Sequence, residues 1–210
     1  MRDFLSLHMI VKDEELLLGR LLEHVAPYVG EMVIVDTGSR DGTYQIARQF
    51  TSKVYTHDLN GNFAQARNFA LDRATLPWIL HLDADEWPNE ELLAHLDGLI
   101  VSEETSGIDG LSIVRHNLVD GKEIGKATWE RHIRVFRSKL RFTGRIHERL
   151  IVDPTTILPI PNGFVIQHFK SQERQERQNR FYMQWEEQRM ISRGPRWRIY
   201  GNAKVDQGSY

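Results

Sequence analysis

Short apolar segments alternate with segments of helical periodicity through the first half of the chain, and this alternation constrains the fold more than any other feature. Strands are predicted over residues 4–11, 32–35, 53–57 and 78–82. Apolar residues in the intervening segments recur every three or four positions, which is typical of a helix that buries one face. Strands joined through helices lie parallel, with right-handed crossovers. The sequence therefore predicts an α/β fold with a mixed, mostly parallel sheet flanked by helices.

The first helix is expected to open at the acidic run Asp13 to Glu15, since acids suit the positive end of the helix dipole. Its buried stripe would comprise Leu17, Leu18, Leu21, Leu22 and Val25. The third helix would bury one face with Phe63, Ala66, Ala70 and Ala74. Ligands of parallel sheets bind beyond the carboxyl ends of the strands. The acids expected to converge there are Asp13, Asp36, Asp41, Asp83 and Asp85.

The pattern changes near residue 105, where antiparallel strands replace the alternation. Segments 111–119 and 131–137 flank Asp120-Gly121, a pair that suits a tight hairpin. A further strand is predicted at 164–169, and a long polar helix follows it. We therefore expect one compact domain with two halves, residues 1–105 and residues 106–210, the second containing a small antiparallel part and a C-terminal helix.

Composition limits the cofactors and the compartment. The chain has no cysteine, so any metal must be bound by oxygen or imidazole ligands. No apolar window approaches the ~20 residues of a membrane span, and the N-terminus lacks the pattern of a signal peptide. These features favour a cytoplasmic protein without an integral membrane segment.

Charge is distributed unevenly along the chain. Residues 1–110 carry a net charge of −11 and residues 111–210 one of +9, which hints at a polyanionic partner. Two groups of arginines at three-residue spacing contribute to the basic half. They are Arg131, Arg134 and Arg137 on a predicted strand, and Arg174, Arg177 and Arg180 on the last helix. Both groups are interpreted as solvated faces.

The strand at 78–82 delivers two carboxylates, Asp83 and Asp85, to its carboxyl end. Hard divalent cations bind carboxylate oxygens and keep open positions for phosphate oxygens. The same acids could instead be turn residues ahead of a helix that starts near Pro88. The DXD pattern alone leaves both interpretations open.

Five segments in series, MIVKDEE, VDTGSRDGT, ARNFAL, LHLDADE and IHE, resemble glycosyltransferase family 2 in order and spacing. The pattern is most similar to small bacterial and phage members of that family. The resemblance implies a GT-A fold, which is a Rossmann-like sheet with a metal site at its edge. It also implies a hexosyltransferase that uses a UDP-sugar, by default UDP-glucose, together with Mn²⁺ or Mg²⁺. Residues 1–105 would then bind the nucleotide sugar and residues 106–210 the acceptor.

The same resemblance assigns roles to individual residues. Those expected to bind the donor are Met9, Val11, Lys12, Asp36, Asp41, Arg67, Asn68 and Asp83. The metal would be bound by Asp83 and Asp85, with His168 as a third ligand. Purely structural roles remain open as alternatives, because Asp36 could cap its own turn and Arg67 could pair with a nearby carboxylate.

Glu148 in GRIHERL is the candidate base that would deprotonate the acceptor hydroxyl in an inverting transfer. The alternatives are a surface ion pair of Glu148 with Arg145 or Arg149, and Glu130 as the base. His147 stands where the family commonly has an acid. The QxxRW signature of processive members is missing, which favours the transfer of a single sugar.

Two acceptors remain open: a saccharide of a surface glycan, or a hydroxymethylated base in DNA, as for phage-type enzymes. Outside sugar transfer, the alternatives are a nucleotidyltransferase and a non-catalytic nucleic-acid-binding module. The absence of a glycine-rich phosphate loop followed by lysine disfavours the first. The second would leave the acidic motifs without a purpose.

Overall fold

The computed structural model describes residues 3–101, 107–123, 128–171 and 173. The chain divides into two compact units, Met1–Gln172 and Glu173–Tyr210, and the fold below is that of the first. The predicted C-terminal helix with Arg174, Arg177 and Arg180 lies outside the described residues.

The first unit contains four α-helices and eleven strands among its described residues. The helices are α1 (Leu18–Val25), α2 (Thr43–Phe50), α3 (Phe63–Leu71) and α4 (Glu90–Val101). The strands are β1 (Leu5–Val11), β2 (Glu31–Asp36), β3 (Val54–Thr56), β4 (Trp78–His81), β5 (Glu86–Pro88), β6 (Gly110–Val119), β7 (Trp129–Arg137), β8 (Arg141–Thr143), β9 (Arg149–Ile151), β10 (Ile157–Pro159) and β11 (Val165–Lys170). Short 3₁₀ turns span Ala26–Tyr28 and Pro154–Thr156.

One large sheet has the strand order β3-β2-β1-β4-β7-β6-β11-β5, with β10 added beside β6. Strands β3, β2, β1 and β4 are parallel, as the alternation of strands and helices predicted. β7 is antiparallel to both β4 and β6, and β11 is parallel to β6. The mixed, mostly parallel sheet and the antiparallel hairpin are therefore confirmed. β8 and β9 form a separate antiparallel pair.

The sheet is buried on both faces, as central parallel strands require. On one face, Leu5, Leu7 and Met9 of β1 are fully buried in a cluster with residues of α1 and α4. On the other face, Ile79 and Phe136 pack with Leu71 of α3 and with the β8–β9 pair. Each fully buried side chain of this size contributes about 1.5–3 kcal/mol relative to exposure. Within the described residues, no helix combines the length and the apolar composition needed to span a membrane.

The start of α1 differs from the expectation. The helix begins at Leu18 with no acid in its first turn, and Leu17 is 38% exposed rather than buried. The reason lies in the preceding turn. Asp13 adopts a positive φ of 54°. The backbone N–H of Glu14 donates to Thr43 at the start of α2, and that of Glu15 donates to Asp41 in the loop after β2, instead of opening a helix.

The buried face of α3 also differs in part from the expectation. The helix ends at Leu71, so Ala74 lies beyond it, and Phe63 is only half-buried. The residues that α3 buries are Ala64, Ala66, Arg67, Ala70 and Leu71. A buried arginine within this set shows that the inner face of α3 belongs to a polar site as well as to the core.

Candidate active site

The predicted acidic turns follow strands that end at the same edge of the sheet. β1, β2 and β4 are parallel neighbours, and Asp83 and Asp85 follow β4 directly. β7 begins at this edge because it is antiparallel to β4, while β6 and β11 end there. The edge therefore receives residues from both halves of the sequence.

Asp36 at the end of β2 is 3% exposed and uses only one carboxylate oxygen in contacts with the residues that the structure describes. Its Oδ1 accepts hydrogen bonds from the backbone N–H groups of Gly38 and Ser39, at 2.8 and 2.7 Å. This is the turn-capping geometry that the sequence left open. The second oxygen, Oδ2, is buried and has no hydrogen-bond partner within the described part of the chain. Asp36 thus stabilises its turn with one oxygen, and the other remains available to a ligand.

The remaining acids of these turns accept hydrogen bonds from backbone N–H groups of the same turn or of the neighbouring turn. Asp41 accepts through Oδ1 from the backbone and hydroxyl of Thr43 and through Oδ2 from the backbone of Glu15, the last at 3.1 Å. Burial raises the pKa of the Asp41 carboxyl, but the hydrogen bonds from Thr43 and Glu15 outweigh it and hold this pKa below its usual value. Asp13 accepts from the backbone N–H of Arg40 at 2.7 Å. These contacts join the loop after β1 to the loop after β2.

The predicted stretch at the end of β1 divides between core and surface. Met9 and Val11 are buried in the main hydrophobic cluster, whereas Lys12 is exposed. The Val11 carbonyl accepts from both the backbone and the hydroxyl of Thr37. Only Lys12 therefore directs a polar side chain away from the core.

Arg67 of α3 is 6% exposed, and each of its three guanidinium nitrogens has a partner. Nε donates to Glu148 at 2.8 Å, Nη1 to His81 at 2.6 Å and Nη2 to Asp83 at 3.1 Å. Burial disfavours its charged form, but the neighbouring charges of Asp83 and Glu148 outweigh this effect and raise the pKa of Arg67. The candidate diphosphate ligand and the candidate base thus form one ion pair.

Two buried histidines contact this arginine. His8 and His81 are fully or almost fully buried, and their Nδ1 atoms lie 2.9 Å apart. His8 Nε2 lies 2.8 Å from the backbone carbonyl of Arg67. Burial lowers the pKa of His8 to about 4. Burial and the charge of Arg67 hold the pKa of His81 well below its usual value, so both rings are neutral at physiological pH.

Asp83 also meets a second arginine. Arg134 Nη2 lies 3.4 Å from Asp83 Oδ2 and donates to the fully buried carboxylate of Glu86. Burial raises the pKa of Asp83, yet the charges of Arg67 and Arg134 outweigh it and hold that pKa well below the usual range. Glu86 is also bound by Arg115, at 3.3 Å.

The position of Arg134 corrects the interpretation of the strand arginines as a solvated face. The pairing of β6 with β7 jumps from Leu111–Val135 to Ser112–Ile133, which leaves Arg134 in a bulge. A bulge redirects a side chain, and Arg134 is buried with only 8% exposed. Its neighbours on the strand are also engaged. Arg131 donates to backbone carbonyls, and Arg137 lies over the Trp78 ring at 4.0 Å.

Asp85 and His168 form the pair that fits a divalent cation. Both are nearly buried, and His168 Nε2 lies 3.5 Å from Asp85 Oδ2. His168 Nδ1 lies 2.9 Å from Asn117 Oδ1, and Asn117 Nδ2 donates to Glu130 at 3.3 Å. Because Asn117 uses its amide as the donor to Glu130, its oxygen accepts the Nδ1 proton of His168. In the neutral tautomer with the proton on Nδ1, the Nε2 lone pair faces a carboxylate oxygen, and a cation shared by the two groups would remove this repulsion.

The donor set also has the chemistry of a Mn²⁺ or Mg²⁺ site. Two cis ligands of such an ion lie about 3 Å apart, close to the observed separation of Asp85 and His168. Asp83 is committed to Arg67 and Arg134 instead, so the structure does not bring it into the pair. Across the described ranges, no cluster of three or more His, Asp and Glu side chains is arranged to hold a metal. Two protein ligands would leave the other positions to phosphate oxygens and water.

The predicted base and the predicted amide ligand have defined contacts. Glu148 follows two left-handed residues, Gly144 and His147, at φ of 94° and 56°. Its ion-pair partner is Arg67, and not Arg145 or Arg149, the partners of the alternative that the sequence left open. Asn68 exchanges two hydrogen bonds, at 2.9 and 2.8 Å, with the backbone of Phe142 in β8. Both polar atoms of the Asn68 amide are thus used to hold the β8–β9 pair against α3.

Two cavities lie near this edge. One of about 500 Å³ lies between α3 and the β8–β9 pair and is lined in part by His57. His57 links the wall of this cavity to the end of β2, since its backbone N–H donates to the Asp36 carbonyl at 3.0 Å. The other, of about 290 Å³, is bordered by Trp129 and Asn162. Trp129 is 54% exposed and stacks on His116, with ring centroids 3.8 Å apart and planes 7° from parallel.

Sequence reasoning missed several of these residues. Those that build the site without having been singled out for it are His8, His81, Glu86, Arg115, Asn117 and Arg134. A signal for the histidine pair was present, because each is the fourth residue of an apolar strand and the two strands pair with these residues in register. The bulge that buries Arg134 has no comparable sequence signal.

The chain is 37% identical over 145 residues to a TPR repeat-containing protein of Synechococcus elongatus, covering 68% of this chain and 34% of that protein. It is 26% identical over 156 residues to the lipopolysaccharide core biosynthesis glycosyltransferase LpsC of Rhizobium meliloti, covering 70% of this chain and 57% of LpsC. The chain thus spans between about a third and just over half of the length of these relatives.

Among solved structures, the chain is similar to S. aureus TarS 1–349 in complex with UDP-GlcNAc. The TM-score is 0.57 at 18% sequence identity, covering 80% of this chain and 58% of TarS 1–349. This likeness, with the mixed sheet described above, shows a GT-A fold. The family model for glycosyl transferase family 2 matches residues 6–158. Since that match covers more than half of the sequence, the chain belongs to glycosyl transferase family 2.

Proposed function

We propose that this chain transfers one hexose from a UDP-sugar, by default UDP-glucose, to an acceptor hydroxyl with inversion, assisted by Mn²⁺ or Mg²⁺. The observation that carries the proposal is the position of two features at the same sheet edge: the unpaired Oδ2 of Asp36 and the Asp85–His168 pair. Family membership favours sugar transfer over nucleotidyl transfer or simple nucleic-acid binding.

The nucleoside end of the donor is assigned to the Asp36 side of the edge. A buried acceptor without a partner costs about 1–3 kcal/mol, so Asp36 Oδ2 favours a ligand that brings an N–H or O–H group. Uracil and ribose both carry such donors. The adjoining cavity of about 500 Å³ falls within the usual range for small-molecule sites. TarS, which has the same fold, was crystallised with UDP-GlcNAc.

The diphosphate end is assigned to Asp85 and His168. A divalent cation bound there would neutralise the charge that develops on the departing nucleoside diphosphate. Asn117 keeps His168 in the tautomer whose Nε2 is free of hydrogen, which is the form that binds metals. Asp83 acts through Arg67 and Arg134 in this proposal, as an anchor for two guanidinium groups beside the diphosphate, and not as a direct ligand.

Glu148 is the proposed base. Its Oε1 is held by Arg67, whereas Oε2 has no hydrogen-bond partner among the described residues. The acceptor hydroxyl attacks the anomeric carbon, its proton passes to Glu148, and the bond from that carbon to the diphosphate oxygen breaks. Glu130 is the alternative base, but hydrogen bonds from His132, Arg115 and Asn117 outweigh burial and hold the pKa of its carboxyl below the usual value, which weakens it as a base.

We further propose a saccharide acceptor, bound at the Trp129 cavity. An exposed indole offers a flat apolar surface to the C–H face of a sugar. The charges nearby disfavour a phosphate backbone, since Glu123 binds His116 and Glu130 borders the cavity. Arg115, Arg131 and Arg134 in this region are bound to acids or carbonyls. This weakens the case for a DNA acceptor that the net charge of the second half suggested.

The test is turnover of radiolabelled UDP-sugars in the presence of Mn²⁺, with neutral oligosaccharides or hydroxymethylated DNA as acceptors. We expect label to move from UDP-glucose to an oligosaccharide in wild type and in the exposed-surface control Glu23→Gln. Glu148→Gln should lose about 10²–10⁴-fold in kcat, as for a missing general base. If the label appears in DNA instead, with activity that falls steeply with salt, the acceptor is DNA and not a saccharide. No turnover of any nucleotide sugar would overturn the proposal.

A further inference from the structure

The contacts of Arg67, His81 and His8 form a closed ring of hydrogen bonds. Arg67 Nη1 donates to His81 Nε2. That ring nitrogen must therefore be the acceptor, and the proton of neutral His81 lies on Nδ1. His81 Nδ1 donates to His8 Nδ1, so the proton of neutral His8 lies on Nε2. His8 Nε2 donates to the carbonyl of Arg67. Every polar atom in the ring is satisfied with one arrangement of protons.

This ring ties the side chain of Arg67 to its own backbone through two imidazoles. The imidazoles come from β1 and β4, which pair with His8 opposite His81. Phe142 lies against both the Arg67 guanidinium and the two histidines, at 5.7, 6.4 and 5.4 Å between centres. A long side chain that would otherwise sample many rotamers is thereby restricted by rigid strands on one side and an aromatic ring on the other.

The restricted guanidinium is the only described group that contacts both Glu148 and Asp83. These two carboxylates lie on separate elements, the β8–β9 connection and the loop after β4, and they are 65 positions apart in the sequence. The orientation of Arg67 therefore determines the spacing between them. Small errors in such spacing are costly, since a misplacement of about 1 Å can lower a rate about 10²-fold.

We infer that His8 and His81 are positioning residues, which fix the Arg67 guanidinium so that Asp83 and Glu148 are aligned before the donor binds. The inference rests on the proposed function for its catalytic consequence. The ring of hydrogen bonds requires both histidines to be neutral, because a second proton on either imidazole would remove an acceptor and add a positive charge beside Arg67. The low pKa of both rings, caused by burial, agrees with this requirement.

Two substitutions of one residue separate this role from simple packing. In His81→Gln, the side-chain amide reaches the position of Nε2 and can still accept from Arg67. In His81→Asn, the amide reaches the position of Nδ1 and retains only the contact with His8. Both remove the same ring from the core. Asparagine is one methylene smaller than glutamine, so a packing role predicts losses of kcat that follow the losses of melting temperature. A positioning role predicts a further loss of kcat in the asparagine variant that its melting temperature does not explain.

We expect His81→Asn to lower kcat about 10²-fold with a small change in the KM for the donor, because nucleotide contacts at Asp36 remain intact. His81→Gln should recover much of this loss and stay within about tenfold of wild type. Melting temperatures of both variants must be measured alongside. Equal kcat in the two variants, or losses in kcat that simply follow the melting temperature, would overturn the inference.

A second readout does not depend on activity. In protein labelled with ¹⁵N-arginine, a fixed guanidinium gives separate Nη1 and Nη2 resonances, assigned by their loss in Arg67→Lys. Wild type and His81→Gln should show separate resonances, and His81→Asn averaged ones. Averaged resonances in wild type, or separate ones in His81→Asn, would contradict the positioning role. A fixed guanidinium in a protein without sugar turnover would instead refute the proposed function alone.

Discussion

One carboxylate oxygen of Asp36, Oδ2, has no hydrogen-bond partner in the described part of the chain. Asp36→Asn preserves Oδ1 for Gly38 and Ser39, but it replaces Oδ2 with an amide N–H₂ that faces the donor groups of the ligand. Losing one such hydrogen bond in a buried site costs about 1–3 kcal/mol. We therefore expect the dissociation constant for UDP to rise by about tenfold or more, measured by isothermal titration calorimetry.

Asp153→Asn is the matched control for this experiment. Asp153 is exposed, caps its own turn through Oδ1 as Asp36 does, and lines neither of the two cavities. Its UDP affinity should equal that of wild type. Unchanged affinity in Asp36→Asn would show that Oδ2 does not meet the nucleotide.

Substituting Asn117 tests whether His168 is oriented to bind a metal. Asn117 orients His168 through a 2.9 Å hydrogen bond and does not belong to the Asp85–His168 pair. Substitutions of such supporting residues typically weaken metal binding about 10–100-fold. Asn117→Ala should therefore weaken Mn²⁺ binding by this factor, measured by electron paramagnetic resonance of free Mn²⁺. Wild-type Mn²⁺ affinity in this variant would argue against His168 as a ligand.

At the scale of elements, the junction of β6, β7 and β10 is packed around Gly110. A Cβ at this position would lie 3.0 Å from Ile157 Cδ1, 3.1 Å from Ile133 Cγ2 and 3.2 Å from the Val135 carbonyl oxygen. We expect Gly110→Ala to lower the free energy of unfolding by about 1–3 kcal/mol, as for other overpacked cores. Urea denaturation provides the measurement.

Gly98 in α4 is the matched comparison, because a Cβ there would meet no heavy atom within 4 Å. Gly98→Ala should raise the free energy of unfolding by about 0.5–1 kcal/mol, since alanine favours the helix more than glycine. Equal effects of the two substitutions would contradict the close packing at Gly110.

Elements with strong periodicity were predictable and elements set by tertiary contacts were not. The parallel strands, the antiparallel pairing of β6 with β7 and the turn at Asp120-Gly121 follow from local patterns, and all are present. The start of α1 was placed too early, because the acids before it are used by contacts with the loop after β2, 26 or more positions away. The burial of Arg134 depends on a shift of register between two strands, which has no local signature.

The candidate site was predictable to the same extent. The motifs predicted Asp36, Asp85 and His168 as site residues, and the fold brings all three to one edge of the sheet, while their roles toward a donor and a cation stay predictions. They did not identify which residues pair with each other. Arg67 binds Glu148 and Asp83, and Asn68 binds the backbone of Phe142. Those partners come from distant segments, and only the fold brings them together.

At the scale of the whole molecule, the two buried histidines make stability depend on pH. The pKa of His8 is lowered from 6.5 to about 4. As pH falls below 6.5, the unfolded chain binds a proton at this position that the folded protein does not, so the free energy of unfolding falls. The effect of His8 alone corresponds to about 3 kcal/mol once the pH reaches 4. The lowered pKa of His81 acts in the same direction.

We expect urea denaturation to show a decrease of about 2 kcal/mol or more between pH 7.5 and pH 5. The carboxyl groups with lowered pKa, such as Asp83 and Asp41, lose stability only at lower pH. Substituting His8 with Gln removes one titrating group and should flatten the dependence in this interval. An equal slope in this variant and in wild type would contradict a neutral, buried His8.

The central claim is that one edge of the sheet binds a divalent cation together with a nucleoside diphosphate. Calorimetric titration of UDP, with and without Mn²⁺, into wild type and Asp85→Asn tests it most directly. We predict that Mn²⁺ strengthens UDP binding to wild type by tenfold or more, about 1.4 kcal/mol, and has no such effect on Asp85→Asn. Equal strengthening by Mn²⁺ in both proteins would contradict a cation site at Asp85.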